Sequence, residues 1–205
     1  MNLFKAAFTV SLLTLVSRVT GLVREQLIAV TFGASAATDA FNVAFRIPNL
    51  FRRLFAEGAF SQAFVPVLAA SRARDGDEAT QQLVDAVATA LVWVLLLVCA
   101  LGVIGAPVLV WVMGSALQEF DTAVLLTRWM FPYIRFMSLV AFSAGILNTW
   151  RRFAVPAITP VLLNLSVIGA AWWGGPWLAA AGYDPILALG MGVMLGGVLQ
   201  AAVQI

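Results

Sequence analysis

Apolar residues run almost unbroken through three stretches, 86–118, 153–183 and 185–205, none of which contains a charged residue. Each exceeds the roughly 20 residues that cross a hydrocarbon layer as a helix. A fourth stretch, 122–150, is equally long and is interrupted only by Arg128 and Arg135. Two more, 4–32 and 39–70, are apolar in bulk yet carry charges well inside their length. The pattern predicts an all-α, polytopic transmembrane helix bundle of six spans, at about 4–32, 39–70, 86–113, 122–150, 156–173 and 185–205. The one plainly hydrophilic connection is 71–85, which contains Asp75-Gly76-Asp77-Glu78 and reads as a solvated loop.

Composition agrees with this class. Of 205 residues, 62% are hydrophobic and 11% charged, against about 25% charged in an average soluble domain. Lys5 and the following apolar segment have the look of a signal peptide, but no small-residue cleavage site follows and helix-compatible sequence continues through Arg18. The last apolar run reaches Ile205 without a polar anchor, which reads as a fragment of something longer.

Charge placement predicts orientation. Lys and Arg in short connections are retained on the cytoplasmic side. An inside N-terminus puts Lys5, Arg72, Arg74, Arg151 and Arg152 in the cytoplasm and leaves the outer connections, near 33–38, 114–121 and 174–184, free of basic residues. Trp111, Trp129, Trp172, Trp173 and Trp177 then fall near the outer ends and Trp93 and Trp150 nearer the inner ones, where indoles favour the interface.

The net charge of +2 is too small to suggest nucleic acid as a partner. Histidine is absent, which removes His-dependent nucleophilic catalysis and His-ligated metals. Cys99 stands alone in an apolar run, so no internal disulfide forms. No phosphate-binding G-x-x-x-x-G-K-[ST] loop is present. The chain is expected to be no enzyme, to need no cofactor or metal, and to hydrolyse no ATP.

The charges inside the first two spans are the chemical signal. An ionised side chain at the centre of a lipid-facing helix costs about 2.5 to 3.5 kcal/mol on insertion scales. Arg18 lies about 12 residues from either end of its span, roughly 18 Å at 1.5 Å per residue, too deep to snorkel. Arg18 and Glu25 share one helix face, and Arg24 lies on a neighbouring face with Ser17 and Gly21. In the second span Asp39, Arg46, Arg53 and Glu57 align on one stripe near Asn42 and Asn49, with Pro48 and Gly58 as points of bending. Across both spans Arg18, Arg24, Arg46, Arg52 and Arg53 face only Glu25, Asp39 and Glu57. Internal ion pairing does not absorb five cations with three acids. A basic, water-filled cavity that accepts a phosphate or carboxylate is the simpler account, because the guanidinium fork binds such anions in bidentate fashion. Elsewhere, Ala188, Gly192 and Gly196 form a small-residue series suited to close internal helix packing, and Pro107, Pro132, Pro156 and Pro160 mark kinks or helix starts.

Several of these segments match a known family. The run Ser17-Arg18-Val19-Thr20-Gly21-Leu22-Val23-Arg24-Glu25 resembles the first-helix motif of the MurJ/MviN lipid II flippases. Ala37-Thr38-Asp39-Ala40-Phe41 and the run from Pro48 to Pro66, with Asn49, Arg52, Arg53, Glu57, Gly58 and Gln62, are similar to its second-helix signature. Ile146-Leu147-Asn148-Thr149-Trp150 and Pro156 through Asn164 resemble the segment joining its fourth and fifth helices. The resemblance implies the multidrug/oligosaccharidyl-lipid/polysaccharide exporter superfamily, with two lobes around a central cavity, of which this chain would be the first. It implies alternating-access transport of lipid II across the bacterial cytoplasmic (inner) membrane. Arg18, Arg24, Arg52 and Arg53 with Asp39 and Glu57 would line the substrate cavity, and Ser17, Arg24 and Glu25 would take part in gating. Glu25 stands where the family pattern leads one to expect Asp. Partners implied are lipid II, membrane lipids, the second lobe and cell-wall synthesis machinery. Export of another polyprenyl-linked glycan, or a scaffold for cell-wall enzymes, are the competing readings. Arg128 and Arg135 match no motif of the family.

Overall fold

A computed structural model describes residues 3–52, 59–150 and 152–204. The chain is a bundle of helices: α1 (Leu3–Phe32), α2 (Ala36–Arg52), α3 (Ala59–Arg74), α4 (Gly76–Ile104), α5 (Ala106–Gly114), α6 (Phe120–Met130), α7 (Tyr133–Thr149), α8 (Ala154–Gly169), a π-helical segment (Ala170–Gly174), α9 (Gly175–Ala180) and α10 (Leu187–Gln204). Among the described residues, Gly76–Ile104, Phe120–Thr149, Ala154–Ala180 and Leu187–Gln204 are long and apolar enough to cross a membrane. The first expected span, 4–32, corresponds to α1, and the second, 39–70, runs through α2 and α3 across residues 53–58, which lie outside the described residues.

Glycine and proline set the breaks. Gly33, at φ 64°, ends α1 in a left-handed conformation, its N–H donating to the Ala29 carbonyl at 3.1 Å. Gly105 separates α4 from α5, and Pro107 lies in the first turn of α5, where its missing N–H costs nothing. Phe131 and Pro132 separate α6 from α7. Pro48, expected as a kink or an interruption, is accommodated within a continuous α2. Pro160 lies inside α8 and cannot donate to the Pro156 carbonyl. The Thr159 hydroxyl takes over that carbonyl at 2.9 Å.

Buried side chains form one main cluster between α1, α2, α6, α7, α8 and α10, with Ile28, Phe41, Leu126, Tyr133, Val167 and Val193 as members. A second, with Ile47, Leu95, Val110 and Ile134, joins α2 to α4–α7, and Phe64, Leu68 and Phe142 tie α3 to α7. The small-residue series in α10 packs internally, as expected. A Cβ on Gly192 would come within 2.7 Å of Ala170 Cβ and 2.9 Å of Val167 Cα, and one on Gly196 within 2.9 Å of Leu163 Cα. Below this contact, Gln200 Nε2 donates to the Thr159 carbonyl at 2.7 Å and Gln204 Nε2 to the Thr159 hydroxyl at 3.1 Å.

The two ends of the bundle differ in charge. At one end Arg72 of α3 donates to the Thr149 carbonyl of α7 at 3.3 Å and stacks 4.4 Å from the Trp150 ring centroid, which joins two of the basic connections. At the other, Thr31, Ser35, Asp184 and Pro185 border a common cleft. Trp172, Trp173 and Trp177 are exposed on the outside of the bundle towards that second end.

Candidate functional site

α1 touches the bundle chiefly through α8, so its contact face is narrow and much of its surface stays open. That contact face carries Ser17, Thr20, Gly21 and Arg24, spaced by three or four residues as one helical stripe requires. Opposite them, α8 presents Asn164, which is 6% exposed in an otherwise apolar stretch. A buried amide must be satisfied from its neighbours. Asn164 Nδ2 donates to the Ser17 carbonyl at 3.0 Å and the Thr20 hydroxyl at 3.1 Å, while Oδ1 accepts from Arg24 Nη1 at 3.0 Å. Gly21 lies against this amide, and a Cβ there would stand in ordinary contact with it, 3.5 Å from Nδ2.

Arg24 is therefore held from two sides. One nitrogen reaches Asn164, and Nη2 pairs with Glu25 Oε1. The arginine side chain is 18% exposed and that of Glu25 62%, so the pair leads from the helix contact into open space. It borders a small cleft, about 30 Å³, between α1 and α2, with Ile28, Phe41, Asn42 and Phe45 as further walls and Val193 of α10 behind. Asn42 also lines an adjoining cleft of about 340 Å³ with Asp39, Arg46 and the turn at Gly114 to Leu117. The structure thus brings Arg24, Glu25, Asn42, Asp39 and Arg46 along one continuous surface.

Not every expected site residue joins this constellation. Ser17 takes part through its carbonyl at the Asn164 contact. Arg18 is exposed on α1, pointing away from α8. Among the described residues Arg18, Asp39 and Arg46 make no ion pair, whereas Arg24 is paired with Glu25. Arg52 is the last residue of α2 and its side chain is not described, and Arg53 and Glu57 lie outside the described residues. Asn164 is the participant that residue-by-residue reasoning missed. The available signal was a lone amide in an apolar span, a group that has to find partners on another helix. Among the described residues no group of three or more His, Cys, Asp or Glu is placed to hold a metal. Chemically, the surface offers fixed guanidinium donors beside open carboxylates. It is suited to holding an anion with polar attachments.

The chain is similar to a family described as lipid II flippase MurJ, whose model matches residues 28–205. It is 54% identical over its whole length to a lipid II flippase MurJ of Burkholderia cenocepacia, covering 40% of that protein. It is 42% identical, again over its whole length, to a probable lipid II flippase MurJ of Vibrio cholerae, also covering 40%. A solved structure of a lipid II flippase MurJ in an inward closed conformation superposes with a TM-score of 0.76 at 27% identity, covering 96% of this chain and 41% of that one. The chain spans about two fifths of the length of these relatives. The apolar helices, the arginine-bearing motif of α1 and the helix arrangement agree with these matches, and the chain, a multi-pass membrane protein, belongs to the lipid II flippase MurJ family.

Proposed function

We propose that this chain is the first six-span lobe of a transporter that moves lipid II from the cytoplasmic to the outer face of the bacterial inner membrane. The spans are α1, α2 with α3, α4 with α5, α6 with α7, α8 through α9, and α10, with the N-terminus in the cytoplasm. One observation carries the reading: the guanidinium of Arg24 is fixed by Asn164 and Glu25 at the edge of a cleft between α1 and α2. A preset cationic fork binds a phosphate or carboxylate without first losing side-chain freedom. Arg18 adds to the cationic surface and Asp39 supplies an acceptor for the substrate's polar groups, and the family resemblance assigns Arg52, Arg53 and Glu57 to the same cavity. Because Arg24 also anchors α1 to α8 through Asn164, anion capture and the seating of α1 compete for its guanidinium. That competition gives Ser17, Arg24 and Glu25 a gating role. The chain carries out no bond-making chemistry, and a second lobe completes the cavity and the alternating motion.

The test uses the full-length protein in cells depleted of their own flippase, with lipid II exposure at the outer face as readout. Arg24→Ala is expected to abolish exposure at near-normal abundance, since losing an intramembrane charge relieves an insertion cost of about 2.5 to 3.5 kcal/mol. Arg24→Lys is expected to restore only part, because an ammonium lacks the bidentate fork. Wild-type exposure by a normally abundant Arg24→Ala protein would exclude the arginine from transport. Orientation is tested separately with single cysteines at Asp77 and Glu119 and a membrane-impermeant thiol reagent in intact cells. The expected label is on Glu119→Cys alone, and label on Asp77→Cys alone would invert the topology.

A further inference from the structure

The opposite flank of the bundle carries a charge that the transport reading does not use. Arg135 of α7 is 15 residues from Phe120 and 14 from Thr149, the ends of the fourth span. At 1.5 Å per residue it lies about 21 Å from either end, beyond the reach of a snorkelling side chain. The neighbours of α6 and α7 show which way it faces. Tyr133, Met137 and Val140 pack towards α10, Ile134 towards α2, and the Phe131 ring fills the space beside Gly102 of α4. Arg135 is left the direction of α7 that these contacts do not occupy. Arg135 is half-buried there, its guanidinium carbon 5.1 Å from the Phe136 ring centroid.

Among the described residues no carboxylate reaches it. Among the described residues Arg135 makes no ion pair. Asp121 precedes it by 14 residues on its own span, and Asp39 of α2 faces the cleft beside Arg46. On α4 the last acid is Asp85, 14 residues before Cys99, whose thiol lies 4.0 Å from the Phe131 carbonyl one turn above Arg135. Bilayer hydrocarbon offers no counter-charge at this depth. Beside the arginine runs an apolar groove of about 460 Å³, lined by Leu101, Gly102, Gly105, Val108, Leu109 and Phe131.

We propose that this flank is a docking surface for a membrane-spanning helix of a partner protein that carries one carboxylate near mid-bilayer depth. The helix lies along the groove between α4/α5 and α6, its apolar side chains fill the notch at Gly105, and its carboxylate pairs with Arg135. Charge complementarity selects the acid, and depth selects its position. Arg128, eight residues into the span, reaches the outer interface and is not required.

The test uses full-length protein in phosphatidylcholine vesicles. The probes are two synthetic leucine-rich helices of about 20 residues, one with Glu at its centre and one with Gln there. Energy transfer from a dye on Val108→Cys reports docking. The Glu helix is expected to associate about tenfold more tightly than the Gln helix, the order of a strong interhelical polar contact in a membrane. Arg135→Gln is expected to erase the difference, and Arg128→Gln to preserve it. Equal association of the two helices with wild-type protein would overturn the proposal, as when Arg135 is already paired within the full-length chain. So would a Glu preference that persists in Arg135→Gln, or one that transfers energy to a dye on Trp172→Cys but not on Val108→Cys.

Discussion

Helix α8 meets its two neighbours by opposite means. Against α10 it packs backbone to backbone, with Gly192 and Gly196 leaving no room for a Cβ beside Val167 and Leu163. Against α1 it relies on a single amide, Asn164, that satisfies Ser17, Thr20 and Arg24 together. The first contact depends on shape and fails if atoms are added. The second depends on donors and acceptors that water or an anionic ligand can replace, so it is the contact able to open in a functional cycle. Around Gln200 and Gln204 the α8–α10 contact has polar groups as well, but there they are buried and closed to solvent.

The contrast breaks first at the glycines. Gly192→Leu puts a branched side chain against Val167 Cα and the Ser166 carbonyl, within about 3 Å. We expect loss of more than the 1 to 3 kcal/mol typical of overpacking, read as absence of the folded protein after detergent extraction. A folded Gly192→Leu protein with wild-type melting temperature would remove the distinction between the two contacts. Next is Asn164→Ala, which deletes three hydrogen bonds and frees Arg24. Interhelical polar contacts in membranes contribute about 0.6 kcal/mol on average, so stability should fall by roughly 1 to 2 kcal/mol while lipid II exposure falls far more. Equal, small losses in both would make Asn164 a packing residue only. The smallest effect is expected at Ser138 of α7, a buried hydroxyl without a hydrogen-bond partner among the described residues. Ser138→Ala removes an unsatisfied group of similar size, and stability in a thermal melt should stay within about 1 kcal/mol of wild type or rise slightly.

Much of this was readable from residue types. Charge-free runs marked α4, α8 through α9 and α10, and a run broken only by Arg128 and Arg135 marked the α6–α7 pair, because hydrocarbon demands long apolar helices. The arginines of α1 and α2 stood out for the converse reason, that charge within a span needs a special environment. Arg24 and Glu25 were singled out together and do pair. Arg18 was grouped with Glu25 on helical phase, which reports the angle of a side chain on its own helix. It says nothing of which helix lies opposite.

For the same reason Asn164 was passed over. Its partners Ser17, Thr20 and Arg24 are 140 or more residues away in the chain, and no local pattern relates them. The lone amide predicted a need for partners and left their identity open. Arg135 is the mirror case: its type and depth were visible from the start, yet only the placement of α2, α4 and α10 around α7 turns it outward, away from the cleft. Membership of the helices in a membrane and the concentration of arginines in the first two helices were determined by the sequence alone, through the cost of placing polar groups in hydrocarbon. The joining of Arg24 to Asn164, the closeness of α8 to α10 and the facing of Arg135 were decided by tertiary packing, since each depends on contacts between segments far apart in the chain.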